Sequence, residues 1–140
     1  MNKVFKAVAG ASVLMLAACA STGNDRGADA PRGVETRSMD GSFTGEVIGQ
    51  AAPGSGFAKL RIGMTPQEVQ EIMDRVPDRH HSYESGKRWI PFYYGNDARR
   101  MQVLYREEGC LIFTDGNIWG GAGGDLVQIE VDPSGACYQP

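Results

Sequence analysis

The segment that decides the fold runs Arg100-Met101-Gln102-Val103-Leu104-Tyr105-Arg106, then through the turn Glu108-Gly109 into Cys110-Leu111-Ile112-Phe113. Apolar and polar side chains alternate over residues 100–106, which is the period of a strand with one buried face. We predict that Met101, Val103 and Tyr105 point inward. The glycine turn then leads into a second strand, so an antiparallel sheet is expected here.

Two further strands are predicted on either side of this segment. Residues 88–94 read Arg-Trp-Ile-Pro-Phe-Tyr-Tyr, are rich in β-forming aromatic residues, and are joined to residues 100–106 by the turn residues Gly95-Asn96-Asp97. The two are expected to form a hairpin in which Trp89, Phe92, Tyr93 and Tyr94 are mostly core. The last strand is Leu126 to Asp132, with its alternate side chains facing inward: Val127, Ile129 and Val131.

A helix is predicted upstream of the strands. Thr65-Pro66-Gln67-Glu68 is a capping box with proline at the first helical position. Apolar residues follow on one face at Val69, Ile72, Met73 and Val76, and Pro77 stops the helix at or before Val76. Residues 56–60 resemble one earlier helical turn. The expected class is α+β, with two short N-terminal helices packed on one face of a three- to four-stranded antiparallel sheet.

The N-terminus has the pattern of a lipoprotein signal peptide over residues 1–18. Lys3 and Lys6 precede an apolar stretch that is shorter than the roughly 20 residues a transmembrane helix needs. Leu16-Ala17-Ala18-Cys19 resembles the lipobox of bacterial lipoproteins, in which the cysteine is lipidated. Diacyl and N-acyl chains on Cys19 would anchor the chain to a membrane. Ala20 favours the outer membrane of a Gram-negative bacterium, on its periplasmic face.

Polar and small residues dominate the stretch after Cys19, so residues 19–54 are predicted to be the lipidated cysteine and a disordered tether. An alternative is a short edge strand within residues 42–50. The folded domain is expected over residues 55–140. Without residues 1–18 the chain carries 12 basic against 17 acidic side chains, a net charge of −5. This balance disfavours nucleic acid as a partner.

The pattern Phe57-x-x-Leu60-x-x-Gly63-Met64-Thr65-x-x-x-Val69, followed by Pro77, an aromatic strand and a hairpin, resembles the SmpA/OmlA (BamE-like) outer-membrane lipoproteins over residues 57–113. The resemblance implies two helices on a three-stranded antiparallel sheet. It also implies a non-catalytic accessory role in outer-membrane β-barrel protein assembly. The chain departs from the family in lacking a glycine before Pro77, and in its glycine-rich loop, final strand and Cys137.

Cys110 and Cys137 are the only other cysteines. A disulfide between them would close a loop of about 28 residues and stabilise the domain by roughly 3 kcal/mol. The alternative is a pair of buried free thiols. A nucleophilic Cys110 with His80 or His81 as its base is disfavoured, because Cys110 lies where a turn meets a strand and not at a helix start.

Candidate cofactor sites in the sequence are weak. His80 and His81 are adjacent and would point to opposite sides of an extended segment, which disfavours a shared metal ion. A solvated loop is predicted there instead. The glycine-rich residues 116–124 lack the lysine and helix of a phosphate-binding loop. No cofactor is therefore expected. Trp119 in this loop, with Tyr93 and Tyr94, is the predicted partner-binding surface. The alternative for Trp119 is that it folds back over the sheet.

Three functions follow from these observations. The first is a lipid-anchored, non-catalytic protein-interaction module that assists outer-membrane protein assembly through a periplasmic or outer-membrane partner. The second is an envelope lipoprotein of the same fold that binds or inhibits another periplasmic target. The third, a cysteine hydrolase, is the weakest, because no catalytic cluster accompanies Cys110.

Overall fold

A six-stranded mixed sheet forms the body of the protein in the computed structural model, which describes residues 32–116 and 124–140. The strands are β1 Val34–Arg37, β2 Thr44–Ile48, β3 Arg79–Glu84, β4 Arg99–Tyr105, β5 Gly109–Thr114 and β6 Leu126–Val131. They lie in the order β1-β2-β6-β5-β4-β3. β2 and β6 are parallel and the other neighbours are antiparallel. Helix α1 spans Pro66–Met73, and two 3-10 turns span Phe57–Lys59 and Gly86–Trp89.

The predicted fold class is therefore wrong. The described residues contain one α-helix, not two, and six strands of mixed direction instead of three or four antiparallel ones. The expected first helix is a 3-10 turn of three residues. The additional strands are short or polar, so they show no clear alternation of apolar and polar residues. Such segments become strands because they pair with a neighbouring strand.

Two of the additional strands lie inside residues 19–54, where the sequence predicts a disordered tether. β1 pairs with β2 from Val34↔Val47 to Arg37↔Thr44, and β2 pairs in turn with β6. The tether prediction is thus wrong for residues 34–48. The alternative of a strand within residues 42–50 matches β2, although β2 is an inner strand and β1 is the edge. Residues 1–31, including the predicted signal peptide and Cys19, lie outside the described residues.

The predicted hairpin of residues 88–94 with residues 100–106 is also wrong. β4 pairs with β3, from Arg79↔Leu104 to Glu84↔Arg99. His80 and His81, predicted to lie in a solvated loop, are therefore strand residues at the sheet edge. An edge strand tolerates polar side chains because one of its sides meets solvent. Residues 88–94 do not pair, and within them Pro91 has no N–H to donate and Phe92 has a φ of 60°.

The predictions for the helix and for β4 and β5 are confirmed. In the capping box of α1, the Thr65 N–H donates to Glu68 Oε2 at 2.7 Å and the Glu68 N–H donates to Thr65 Oγ1 at 3.3 Å. The helix ends at Met73, before Pro77, with Asp74 in the left-handed region at φ 54°. Because the helix stops there, Val76 does not reach the buried face and is 70% exposed.

The hydrophobic core lies between one face of the sheet and the segment from Phe57 to α1. Phe57 meets the Tyr105 ring edge-on, with centroids 6.1 Å apart. The core combines side chains of the sheet with those of this segment: Val103, Tyr105, Leu111, Phe113, Leu126 and Ile129 with Phe57, Leu60, Ile62, Met64 and Val69. A register shift between Ile112 and Phe113 places Leu126, and not the predicted Val127, in this core.

The opposite face of the sheet is partly covered by the C-terminal segment, residues 132–140. The Gln102 side-chain amide donates to the Cys137 carbonyl at 2.9 Å and accepts from the Gln139 N–H at 3.1 Å. The Tyr138 ring meets the His81 ring edge-on at 5.0 Å. Within the described part of the chain, no helix has the length and apolar character to cross a bilayer.

Candidate functional site

An aromatic loop, defined here as residues 86–95, projects beyond the end of β3 and β4. Its base is closed at Ser85, whose N–H donates to the Ala98 carbonyl at 2.9 Å and whose hydroxyl donates to the same carbonyl at 3.1 Å. The loop begins as the 3-10 turn Gly86–Trp89, in which the Arg88 N–H bonds to the Ser85 carbonyl at 3.2 Å. Residues 86–97 thus leave the sheet after Ser85 and return to it at Ala98, and these two residues form one hydrogen-bonded pair.

The loop exposes four large apolar side chains within six residues. Trp89 is 79% exposed, Ile90 52%, Phe92 87% and Tyr94 68%. Single exposed apolar residues are ordinary on protein surfaces, whereas large exposed apolar patches are typical of interaction sites. The prediction that the aromatic residues of this run are mostly core is therefore wrong for Trp89 and Phe92, whereas Tyr94, predicted for the partner-binding surface, is exposed.

A partly buried carboxylate fixes the base of the aromatic loop. Asp97 Oδ1 accepts from Arg100 Nε at 2.6 Å and Asp97 Oδ2 accepts from Arg100 Nη2 at 2.9 Å. The Lys87 ammonium also bonds to Asp97 Oδ2. Burial by itself raises the pKa of Asp97, but the hydrogen bonds and charges of Arg100 and Lys87 outweigh it and hold the pKa below its usual value. The carboxylate thus stays ionised and ties the loop to β4.

Tyr93 differs from the aromatic residues beside it because it folds back over its own loop. Its hydroxyl lies so close to Gly95 that an added Cβ there would be 2.4 Å away. Lys87 Nζ lies 5.8 Å from the centroid of the Tyr93 ring. The Tyr93 side chain is half-buried, whereas Phe92 and Tyr94 on either side of it are exposed. Of the two tyrosines predicted for the partner-binding surface, Tyr94 is the exposed one and Tyr93 supports the loop.

Cys110 and Cys137 form a disulfide in the structure, with sulfur atoms 2.01 Å apart and Cα atoms 6.0 Å apart. Cys110 is 1% exposed on β5, so the bond ties the C-terminal segment to a central strand. A sulfur in a disulfide is not a thiolate and cannot act as a nucleophile. The arrangement of these residues supports no cysteine chemistry.

The two histidines lie on opposite faces of β3. His80 pairs with Val103 on the core side, and His81 pairs with Gln102 on the side of the C-terminal segment. His81 Nδ1 is buried and has no hydrogen-bond partner among the described residues. Its ring lies between Tyr83 and Tyr138, at 5.7 and 5.0 Å. Across residues 32–116 and 124–140, no group of three or more acidic, histidine or cysteine side chains is arranged to hold a metal ion.

Two predicted site residues, Cys19 and Trp119, lie outside the described residues. Sequence reasoning also missed Trp89 and Phe92, because β-forming aromatic residues resemble core strand residues. The signal that separates the two cases is Pro91, since a proline within such a run argues against a central strand.

The comparison with known proteins gives no relative. No protein-family model, no curated protein and no solved structure matches the chain.

Proposed function

We propose that this chain is a lipid-anchored outer-membrane lipoprotein whose domain is a non-catalytic protein-interaction module. The observation that carries the proposal is the exposure of Trp89, Phe92 and Tyr94 on one braced loop. The lipid anchor rests on the lipobox ending at Cys19. Together they describe a domain held at a membrane that presents an apolar surface to a partner.

The energetics of the aromatic loop suit binding. Removing one large apolar side chain such as Trp89 or Phe92 from water is worth roughly 1.5–3 kcal/mol. Binding also costs free energy wherever a loop must be ordered. That cost is reduced here because Asp97, Arg100 and Lys87 already fix the base of the loop. Tryptophan and tyrosine are also the residues most often found as energetic anchors of interfaces.

Two kinds of partner are open to experiment, an outer-membrane assembly component and another periplasmic protein. The resemblance to the SmpA/OmlA lipoproteins implied a fold that this domain does not have, so it adds little weight to a role in outer-membrane β-barrel assembly. The first test therefore distinguishes the two partners. The cysteine hydrolase is not supported, because Cys110 lies in a disulfide.

The first test places a photo-cross-linking amino acid at Phe92 of the full chain in intact cells. We expect a specific cross-linked protein, identified by mass spectrometry, because Phe92 is the most exposed apolar residue of the loop. In the double variant Trp89→Ser and Tyr94→Ser the cross-linked fraction should fall at least about tenfold, since losing more than about 1.4 kcal/mol of binding energy has that effect.

The matched control for this test is the double variant Val34→Ser and Val76→Ser with the same cross-linking residue. Val34 and Val76 are 67% and 70% exposed. Both lie toward the end of the sheet opposite the loop, because Val76 precedes β3 and Val34 lies in the same row across the strands as His80. Cross-linking should survive in this control. An undiminished cross-link in the Trp89/Tyr94 variant would rule the loop out as the binding surface.

The second test addresses the anchor. Metabolic labelling with an alkyne fatty acid should mark the wild-type chain and not the Cys19→Ala variant, because Cys19 is the residue to which the lipobox directs the lipid. The double variant Cys110→Ala and Cys137→Ala, which keeps Cys19 as its one cysteine, controls for nonspecific thiol labelling and should remain labelled. If the wild-type chain carried no lipid in the outer-membrane fraction, the anchor would be disproved while the aromatic loop stayed testable.

A further inference from the structure

The outer edge of β3 carries backbone groups that no described segment pairs with. β3 bonds to β4, and the Ser85 N–H bond to the Ala98 carbonyl at 2.9 Å continues that register. Hydrogen bonding alternates along an antiparallel strand. Every second residue counted back from Ser85 therefore bonds to β4. The residues between them direct their N–H and C=O groups outward: His80, Ser82 and Glu84.

We propose that two copies of this chain pair through β3, antiparallel, about a two-fold axis at Ser82. The two six-stranded sheets then join into one continuous sheet. An isologous contact of this kind requires that the edge be complementary to itself. The inference goes beyond the proposed function and does not depend on the lipid anchor or on the aromatic loop.

The side chains of β3 meet this requirement in one register. With Ser82 opposite its own copy, His80 lies opposite the second copy's Glu84, an imidazole donor facing a carboxylate acceptor. On the other face, His81 lies opposite the second copy's Tyr83 as an aromatic pair. A register centred on His81 would instead place Asp78 opposite Glu84, and like charges directly opposite are destabilising. Of these two registers, the charges therefore favour the one centred on Ser82.

Within residues 32–116 and 124–140, β3 also lacks the features that usually protect a sheet edge. Natural edges are blocked by lysine, proline, bulges or a covering segment. Residues 80–84 read His-His-Ser-Tyr-Glu, and all six residues of β3 pair with β4 in unbroken register. The side chains of His80, Ser82 and Glu84 are exposed. A second strand can therefore approach along the whole edge.

The other edge strand, β1, is the weaker candidate. The Ser38 N–H bonds to the Phe43 carbonyl at 2.9 Å, so Ser38 and every second residue before it bond toward β2. Within β1, only Glu35 and Arg37 then direct backbone groups outward. A symmetric pairing of β1 would also place these opposite charges together. However, β1 has four residues against six in β3, so each copy offers fewer hydrogen bonds. The test therefore includes both edges.

The experiment uses the full chain, purified in detergent. Sedimentation velocity should give a protein mass twice that of one chain, and Ser82→Pro should return it to the monomer mass, because proline removes an outward N–H and leaves the bonds to β4 intact. Circular dichroism checks that this variant is folded. A wild-type chain that stays monomeric up to high micromolar concentration would overturn the proposal.

An introduced cysteine keeps the proposal testable even if Ser82→Pro fails to fold. The Ser82→Cys variant should cross-link to its own copy with a short thiol-specific reagent, since a hydrogen-bonded antiparallel pair has Cα atoms roughly 5.5 Å apart. The matched control is Thr36→Cys, a similar hydroxyl residue replaced on the other edge strand. Cross-linking of the Ser82→Cys variant and not of the Thr36→Cys variant supports β3 as the interface. Cross-linking of the Thr36→Cys variant alone, or of neither variant, overturns it.

Discussion

Replacing Gly109 by alanine should strongly destabilise the domain. Gly109 opens β5 with a φ of 148°, which an L-residue rarely adopts, and an added Cβ would lie 2.0 Å from the Glu130 carbonyl oxygen and 2.7 Å from the Asp132 N. Backbone strain of about 1–3 kcal/mol adds to an overpacking cost of about 1–3 kcal/mol. The strain and the overpacking both weaken the pairing of β5 with β6, on which the hydrophobic core depends.

The measurement is the free energy of unfolding from urea denaturation, with a thermal melt alongside it. We expect a loss of roughly 2–6 kcal/mol, out of the 5–15 kcal/mol typical of a domain. The control is Gly86→Ala, the same substitution at an exposed glycine with nothing within 4 Å of an added Cβ. It should change stability by less than about 1 kcal/mol. Equal effects of the two substitutions would show that β5 and β6 are not packed as described.

Removing the disulfide is the second large effect. The double variant Cys110→Ala and Cys137→Ala should lose about 3 kcal/mol, because the bond constrains a loop between residues separated by 27 positions in the unfolded chain. Reduction of the wild-type protein should have a similar effect. The bond also determines where the C-terminal segment lies, since Gln102 and Tyr138 make their contacts in its neighbourhood.

Chemical denaturation with and without reductant measures this contribution, and intact mass shows whether two hydrogens are gained on reduction. The double alanine variant is the control for reductant, because its stability should be indifferent to it. If reductant left the wild-type unfolding free energy unchanged, Cys110 and Cys137 would be free thiols in solution, the alternative that the sequence also allowed.

The predictable parts of the fold each had a local signal. The capping box at Thr65 predicted α1, and alternation predicted β4 and most of β6, because these patterns report contacts within the element itself. β2 had only a weak signal, in Val47 and Ile48, and β1 and β3 had none. The residues of β1 and β3 are mostly polar. β1 is a strand because it pairs with β2, and β2 and β3 pair with β6 and β4, which are distant in the sequence. Tertiary pairing of this kind overrides local propensity.

The candidate site was only half visible in the sequence for a related reason. Tyr94 was predicted to contact a partner, whereas Trp89 and Phe92 were assigned mainly to the core. Whether an aromatic side chain is buried depends on whether another layer lies opposite it. α1 has eight residues, and the aromatic loop extends past the last sheet pair at Ser85. The spacing of apolar residues in the sequence does not show that the loop extends beyond the sheet.

The order of the strands sets the route of mechanical tension through the domain. The chain enters the sheet at β1, on one edge, and the aromatic loop follows β3, on the other. If Cys19 is held at a membrane and a partner holds the loop, a pulling force crosses the sheet diagonally, because Val34 lies in the row of His80 whereas the loop follows Glu84 at the other end of β3. Such a load both peels and shears the hydrogen bonds between neighbouring strands. The short pairing of β1 with β2 bears it first, and the disulfide at Cys110 reinforces the centre.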